Sequence, residues 1–235
     1  RILGEHRPGT FAEFVCVPAA NLAPAPEHLA DAEAAAFPLT WLTAFRMLFT
    51  RGRLGPGERV LVHGIGAGVS LAALQMAKAA GAVVYVTSSS DAKLERAKAL
   101  GADTGINYSR DRVDKIMQGL TGGEGVDLVV DSVGAATWMT SLKCAKKGGR
   151  IVTCGATSGP NPPEEIRLVF WKQLSILGST MGSHADFIRM LALMAARGLR
   201  PVVDSVLPLE RAREAYGRLA KGEQFGKIVL RHGGV

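Results

Sequence analysis

Gly64, Gly66 and Gly68 stand two residues apart immediately after the apolar run Arg59–His63 (RVLVH), and the sequence from Ser70 to Ala80 turns helical. These residue types suit one piece of chemistry. Main chain without Cβ atoms lets a diphosphate approach closely, and the free amides that open a helix, with the positive end of its dipole, favour the negative charge. The neighbouring elements are those such a bend needs. The Val-rich run reads as a buried parallel strand. Leu71, Leu74 and Ala77 repeat on one helical face, with Met76 and Ala80 beside them, and Gly81 is a helix stop. Strand, glycine turn and helix together are the context of a dinucleotide-binding loop; the same glycines alone would read equally well as a tight turn. Ser70, near the helix start, is expected to cap a free amide.

The elements that must hold this bend alternate along the chain. Strands are expected at Val83–Thr87, 104–107, Val126–Asp131, Arg150–Cys154 and Leu174–Gly178, with helices at Asp91–Leu100, Val113–Leu120, Thr137–Ala145 and Glu164–Gln173 between them. Such alternation means crossover units and a parallel sheet, an α/β fold. Before it, Asp31–Phe49 is helical in pattern, with Asp31 as its cap and Pro38 bending or dividing it. Thr10–Val17 (TFAEFVCV) reads as a strand. It has no obvious partner, so residues 1–35 are expected to belong to a domain whose first part is absent. After residue 181 the alternation weakens: helices at Asp186–Arg197 and Leu209–Leu219 and a closing strand at Lys227–Leu230 plausibly return to that domain.

Composition narrows the class. The chain has 235 residues, 47% of them hydrophobic, enough for one sizeable core. No apolar run is long enough to span a membrane, and no leader precedes the first strand, so a soluble cytoplasmic protein with no membrane partner is expected. Cys16, Cys144 and Cys154 lack ligand-like spacing and read as buried thiols in a reducing compartment. The net charge is +7, but aromatics are 6% and do not interleave with basic runs, so nucleic acid is not an expected partner. The positive balance reads as solvated surface with some attraction for an anionic cofactor.

Taken together, several segments resemble the medium-chain dehydrogenase/reductase superfamily, which includes zinc alcohol dehydrogenases and quinone reductases. The matching pieces are GTFAEFV with the Asn21 connector, the Thr43-Ala44 helix, VLVHGIGAGV, the Lys93 helix, LGAD at 100–103, INY at 106–108, GVDLVVDSVG at 125–134, GGRIVTCG at 148–155 and GKIVL at 226–230. The resemblance implies a Rossmann fold, a doubly wound parallel sheet with helices on both faces, inserted in a two-part GroES-like catalytic domain of which remnants are present. The implied boundaries are 1–38 for the first catalytic segment, 39–180 for the dinucleotide-binding domain and 181–235 for the returning segment. The chain departs from the family's usual Gly-Gly-Val-Gly: it has Ala67-Gly68-Val69-Ser70, whose small side chains leave room.

The resemblance also implies a set of cofactor residues. Gly64, Gly66, Ala67, Gly68 and Val69 form the diphosphate loop. Ser88 falls where an acidic residue in NAD-binding relatives would hold the ribose, and a hydroxyl there suits a 2′-phosphate, with Lys93 and Tyr108 beside it; Asp91 is a competing acid. NADP is favoured and NAD is the alternative. Ser132 and Val133 after one strand, and Gly155 and Ala156 after the next, lie where ligands sit in parallel sheets, and Lys227 matches a segment near the cofactor's far end. Asp131 has two readings, a ribose ligand or a cap for the following helix. No residue presents itself as a general acid.

Zinc-dependent relatives place a cysteine four residues before Thr-Ala, where this chain has Leu39, and a strand-end histidine such as His63 is more often structural. The reading is therefore a zinc-independent hydride transfer to a small carbonyl, quinone or activated alkene, or from the matching alcohol. A structural zinc is possible only in the missing N-terminal segment. A zinc-dependent alcohol dehydrogenase and a non-catalytic dinucleotide-binding or redox-sensing protein are the alternatives. The apolar strand 174–178 is expected to be an exposed edge that pairs with its copy in a homodimer or homotetramer.

Overall fold

Six of the expected strands lie side by side in the computed structural model, which describes residues 2–233. In chain order the elements are α1 (Asp31–Ala36), α2 (Pro38–Phe45), β1 (Arg59–Val62), α3 (Gly68–Ala79), β2 (Val83–Ser88), α4 (Asp91–Ala99), β3 (Thr104–Asn107), α5 (Val113–Leu120), β4 (Val126–Asp131), α6 (Ala135–Cys144), β5 (Ala145–Thr153), α7 (Ile166–Trp171) and β6 (Ser175–Gly178). The sheet is parallel throughout, in the order β3-β2-β1-β4-β5-β6. This is the Rossmann arrangement, with its strand order reversing between β1 and β4.

Strand alternation divides the core between the two faces. Val60, Val62, Val84, Val86, Leu128 and Val130 pack with α2, α3 and α4, whereas Leu61, Tyr85, Val129 and Ile151 pack with α5 and α6. Burying each such aliphatic side chain stabilises the fold by about 1.5–3 kcal/mol. Pro38 divides the first helical stretch because it has no amide hydrogen and fits only the first turn of α2. The stretch then ends in a wide π-helical turn, Arg46–Arg51. Asp31 does not cap α1. Ala30 is the flanking residue, and its amide donates to Glu33 at 2.8 Å.

Beyond the sheet, α8 (His184–Arg197) adds the buried Met190 and Met194 to the core under α2 and α3. Asp186 fastens it there, taking hydrogen bonds from Arg46 at 2.9 Å, Thr50 at 2.7 Å and Arg189 at 2.6 Å. Burial pushes this carboxyl up, but the bonds from Thr50, Ser183 and Arg189 hold it far below the usual carboxylate range. A strand the sequence did not announce, β7 (Val203–Pro208), pairs in parallel with β8 (Lys227–Arg231), and α9 (Ala212–Ala220) connects them. Asp204, Ser205 and a closing proline disguise the apolar pattern of β7.

Thr10–Val17 is not a strand. It finds no ladder partner among the described residues, and Phe11, Phe14 and Val15 are exposed. Cys16 is likewise exposed rather than buried. The first and last segments do meet: His28 Nε2 lies 3.0 Å from the Leu199 carbonyl, Arg200 pairs with Glu33 at 2.7 Å, and the rings of Phe11 and Tyr216 touch edge to face. Among the described residues no helix is long and apolar enough to cross a membrane.

Candidate cofactor site

The bend between β1 and α3 is built from bare main chain. Gly64 and Gly66 have φ of 67° and 117°, in the region that side chains disfavour. Gly68 is needed for space: a Cβ there would lie 2.8 Å from Thr40 Cγ2 and 2.9 Å from Lys227 Cδ. The bend is tied to β2, with Ile65 N donating to the Thr87 carbonyl at 2.8 Å and Gly64 N to Thr87 Oγ1 at 3.2 Å. Ser70 is not a cap. Its buried hydroxyl points back to the carbonyls of Gly64 and Ala67, both at 2.9 Å, and braces the bend from beneath. No side chain caps α3, which follows the exposed Ala67 and begins with half-buried Gly68 and Val69. A helix end of this kind favours an anion.

Two lysines flank it. The Lys93 stem packs on Gly66, where an added Cβ would come within 3.0 Å of its Cδ, and its ammonium donates to the Gly222 carbonyl at 2.5 Å. Lys227 packs on Gly68. Among the described residues neither has a carboxylate within 4.0 Å. Burial pulls both below the ordinary lysine range. An anion seated between them would favour their charged forms. The segment carrying Lys227 is also joined to the bend directly, because Gly226 N donates to the Gly66 carbonyl at 2.9 Å. Arg96 of α4 covers the buried ring of Phe225 at 4.1 Å.

A groove of about 560 Å³ opens beside the bend, beyond the carboxyl ends of β1, β2 and β4. It brings Gly64, Tyr108 and Val133 together, along with His63, Thr87 and Thr137. Glycine at 64 keeps it open, since a Cβ there would lie 3.3 Å from Val133 Cγ2. Ser132, Gly155 and Ala156 are not among the residues that line it. Gly155 approaches the Ser132 carbonyl and Ala156 backs onto Gly134, each too closely for a glycine there to gain a Cβ without displacement. Ser88 lies elsewhere. It is buried, continues the alternation of Val84 and Val86 towards α4, and accepts from Ser90 N at 3.2 Å. Its side chain therefore shares the Lys93 side of the sheet, while its carbonyl accepts from Tyr108 N at 3.0 Å.

Both ambiguous acids are committed to partners. Asp131 is fully buried and accepts from the amides of Val133 at 2.8 Å and Gly134 at 3.1 Å and from the hydroxyls of Thr137 and Ser141. It caps the turn into α6. Asp91 is engaged by Arg110 at 2.6 Å and by Asn107 at 3.0 Å, and the Arg110 bond, followed by that of Asn107, lowers its pKa.

Comparison with known proteins bears on this geometry. Residues 68–196 match the zinc-binding dehydrogenase family. A zinc-type alcohol dehydrogenase-like protein of Schizosaccharomyces pombe is 39% identical over 236 residues, covering 97% of this chain and 68% of its own length. The chain belongs to the zinc-binding dehydrogenase family. The crystal structure of an NAD-dependent alcohol dehydrogenase superposes with a TM-score of 0.94 at 48% identity, covering 99% of this chain and 68% of that one. A 2-octenoyl-CoA carboxylase reductase, in complex with NADP and 2-octenoyl-CoA, gives a TM-score of 0.84 at 30% identity, covering 91% and 52%. The chain thus spans between about half and two thirds of these relatives' lengths.

The family's name raises the question of a metal. Leu39, four residues before Thr43-Ala44, is an exposed leucine on α2. Among the described residues no three His, Cys, Asp or Glu side chains converge as a ligand set. These residues do not fit a zinc ion, and no step is derived through one. Sequence reasoning passed over Thr87 and the placement of His63 in the groove. The signal for Thr87 and His63 was their position at adjoining strand ends, Thr87 one residue before the end of β2 and His63 one residue after the end of β1. Nothing local marked Gly226 as a neighbour of Gly66.

Proposed function

We propose that this zinc-binding dehydrogenase family member is an NADP(H)-dependent oxidoreductase, moving a hydride between nicotinamide and a small carbonyl, quinone or activated alkene, or the corresponding alcohol. One observation carries the reading: an uncapped glycine bend opens on the crevice where the strand order reverses, flanked by two lysines with no carboxylate partner among the described residues. The residues present fit a dinucleotide. Gly64, Gly66, Ala67, Gly68 and Val69 would receive the diphosphate, with Lys227 over it. Tyr108 and Val133 would flank the adenosine in the groove, and Ser88 and Lys93 would meet a 2′-phosphate. Ser132, Gly155 and Ala156 would flank the nicotinamide riboside.

The cofactor supplies the hydride donor or acceptor. The chain's own residues bind it, orient it and exclude water around it, which is how a protein contributes to such chemistry. The NADP complex of the carboxylase reductase relative supports NADP, and the NAD dependence of the alcohol dehydrogenase relative makes NAD the second reading. Residues 39–180 form the proposed cofactor domain. The exposed Ile176 on the edge strand β6, with Phe170 and Trp171 nearby in sequence, supports pairing with a second copy.

Fluorescence titration with NADPH and NADH tests the proposal. Saturable binding, tighter for NADPH, is expected. Tenfold tighter NADH would overturn the cofactor preference, and binding of neither would overturn the function.

A further inference from the structure

His63 is the last residue before the glycine bend, and its surroundings are incomplete. Continuing the alternation of β1, its side chain leaves the sheet on the side of Leu61, towards α5 and α6, and it lines the groove. It is 2% exposed, and it sits between Thr87 of β2 and Asp131 of β4, in a row of three buried polar residues across the strand ends. Nδ1 lies 3.2 Å from Thr87 Oγ1, while Nε2 is buried with no partner.

The tautomer follows from counting protons. Thr87 Oγ1 already accepts from Gly64 N, and its one hydrogen has Nδ1 as the acceptor in reach. Placing the imidazole proton on Nε2 pairs the Thr87 hydrogen with Nδ1, whereas placing it on Nδ1 would leave that hydrogen without an acceptor, so the Nε2–H tautomer is the better satisfied one. Asp131 does not take the Nε2 proton, being filled by two amides and two hydroxyls. Burial lowers the pKa of the ring and keeps it neutral, against the charge of Asp131. The outcome is a neutral, buried N–H donor without an acceptor among the described residues, on a side chain that lines a ligand-sized groove. A buried donor left unsatisfied keeps its desolvation cost, and an arriving acceptor recovers it.

We propose that His63 is an adenosine-binding residue: its Nε2–H donates to an acceptor atom of the cofactor's adenosine half, a purine ring nitrogen or a ribose oxygen, seated in this groove. The inference rests on the nucleotide reading above. It assigns to the strand end, rather than to the glycine bend, the recognition of the nucleoside. Thr87 is the positioning residue that fixes the tautomer.

The test compares His63→Phe with the unaltered protein against NADPH, NADH and reduced nicotinamide mononucleotide, which has no adenosine. The substitution is expected to weaken NADPH and NADH alike by about tenfold, the loss of one hydrogen bond, and to leave the mononucleotide unchanged. His63→Gln, which keeps a side-chain N–H, is expected to retain most of the dinucleotide affinity. Unchanged dinucleotide binding in the Phe variant would overturn the proposal, as would equal weakening of the mononucleotide, which would mark His63 as scaffold. A measurement on the unaltered protein covers a variant that does not fold. In nitrogen-15 NMR of histidine-labelled protein, the His63 Nε2–H signal is expected to shift with adenosine 2′,5′-bisphosphate and not with nicotinamide mononucleotide. No shift with either refutes the contact. Failure of the unaltered protein to bind any dinucleotide would instead overturn the proposed function itself.

Discussion

Replacing Asp131 separates two roles that a strand-end carboxylate can play. In the structure it accepts two amides, from Val133 and Gly134, and two hydroxyls, from Thr137 and Ser141, with no exposed surface. In Asp131→Ala the Thr137 hydroxyl retains the Gly134 carbonyl at 3.2 Å, but the two amides and Ser141 lose their acceptor. Buried groups left unsatisfied cost roughly 1–3 kcal/mol each, so with three of them the alanine variant should lose about 3–9 kcal/mol. Asp131→Asn keeps one oxygen for the amides and should lose about 1–2 kcal/mol. For a chain of this length each kcal/mol moves the melting temperature by about 2–4 °C. Thermal unfolding followed by circular dichroism is therefore expected to fall by about 10 °C or more for alanine and by a few degrees for asparagine. A residue kept for binding ribose would behave the other way. An alanine variant that melts within 2 °C of the parent, yet binds NADPH far more weakly, would refute the capping argument.

Ser88→Asp should weaken NADPH by at least tenfold and leave NADH within about threefold, because a carboxylate beside Lys93 repels a 2′-phosphate; equal effects on both, read by fluorescence titration, would remove Ser88 from the discrimination. Thiol labelling at pH 8 should consume one equivalent rapidly at the exposed Cys16, whereas Cys154, pushed by burial up to about 11, and Cys144, pushed by burial up to about 12, should react orders of magnitude more slowly; mass spectrometry identifies the labelled site. Light scattering of the protein should report a dimer or tetramer, and Ile176→Lys should shift it towards monomer by placing a charge on the β6 edge.

The sheet was legible because its strands carry apolar runs closed by glycine or a polar turn. VDLVVD gave β4 to the residue, and VDKIMQGL gave α5, since nothing in either segment contradicts its own periodicity. What escaped depends on partners far away in sequence. TFAEFVCV has the composition of a strand, but a ladder requires a neighbour, and that part of the chain has none among the described residues. Ser70 stands at the helix start that the sequence suggests, but α3 begins two residues earlier at Gly68, and its hydroxyl serves two carbonyls of the bend. The glycine bend itself was readable from residues 59–81. Its lysines were readable only as types: nothing near Lys93 says that its ammonium reaches a carbonyl 129 residues away.

That long reach bears on what the bend is made of. Gly66 takes a hydrogen bond from Gly226, Gly68 is packed by Lys227, and Lys93 and Arg96 of α4 hold the segment 222–225 against the same turn. Gly226 cannot be exchanged freely, for its φ is 112° and a Cβ would stand 2.3 Å from the Val202 carbonyl. The bend is thus shaped from both ends of the chain: residues 59–70 supply its main chain, and residues 222–227 supply one wall and one of its two cations. A Rossmann core cut at residue 180 would keep all six strands and every glycine of the loop, but would lose that wall. The physical unit of the proposed diphosphate site is therefore larger than the unit that carries the motif, and the short sequence GKIVL at its far end shapes the bend alongside the glycines.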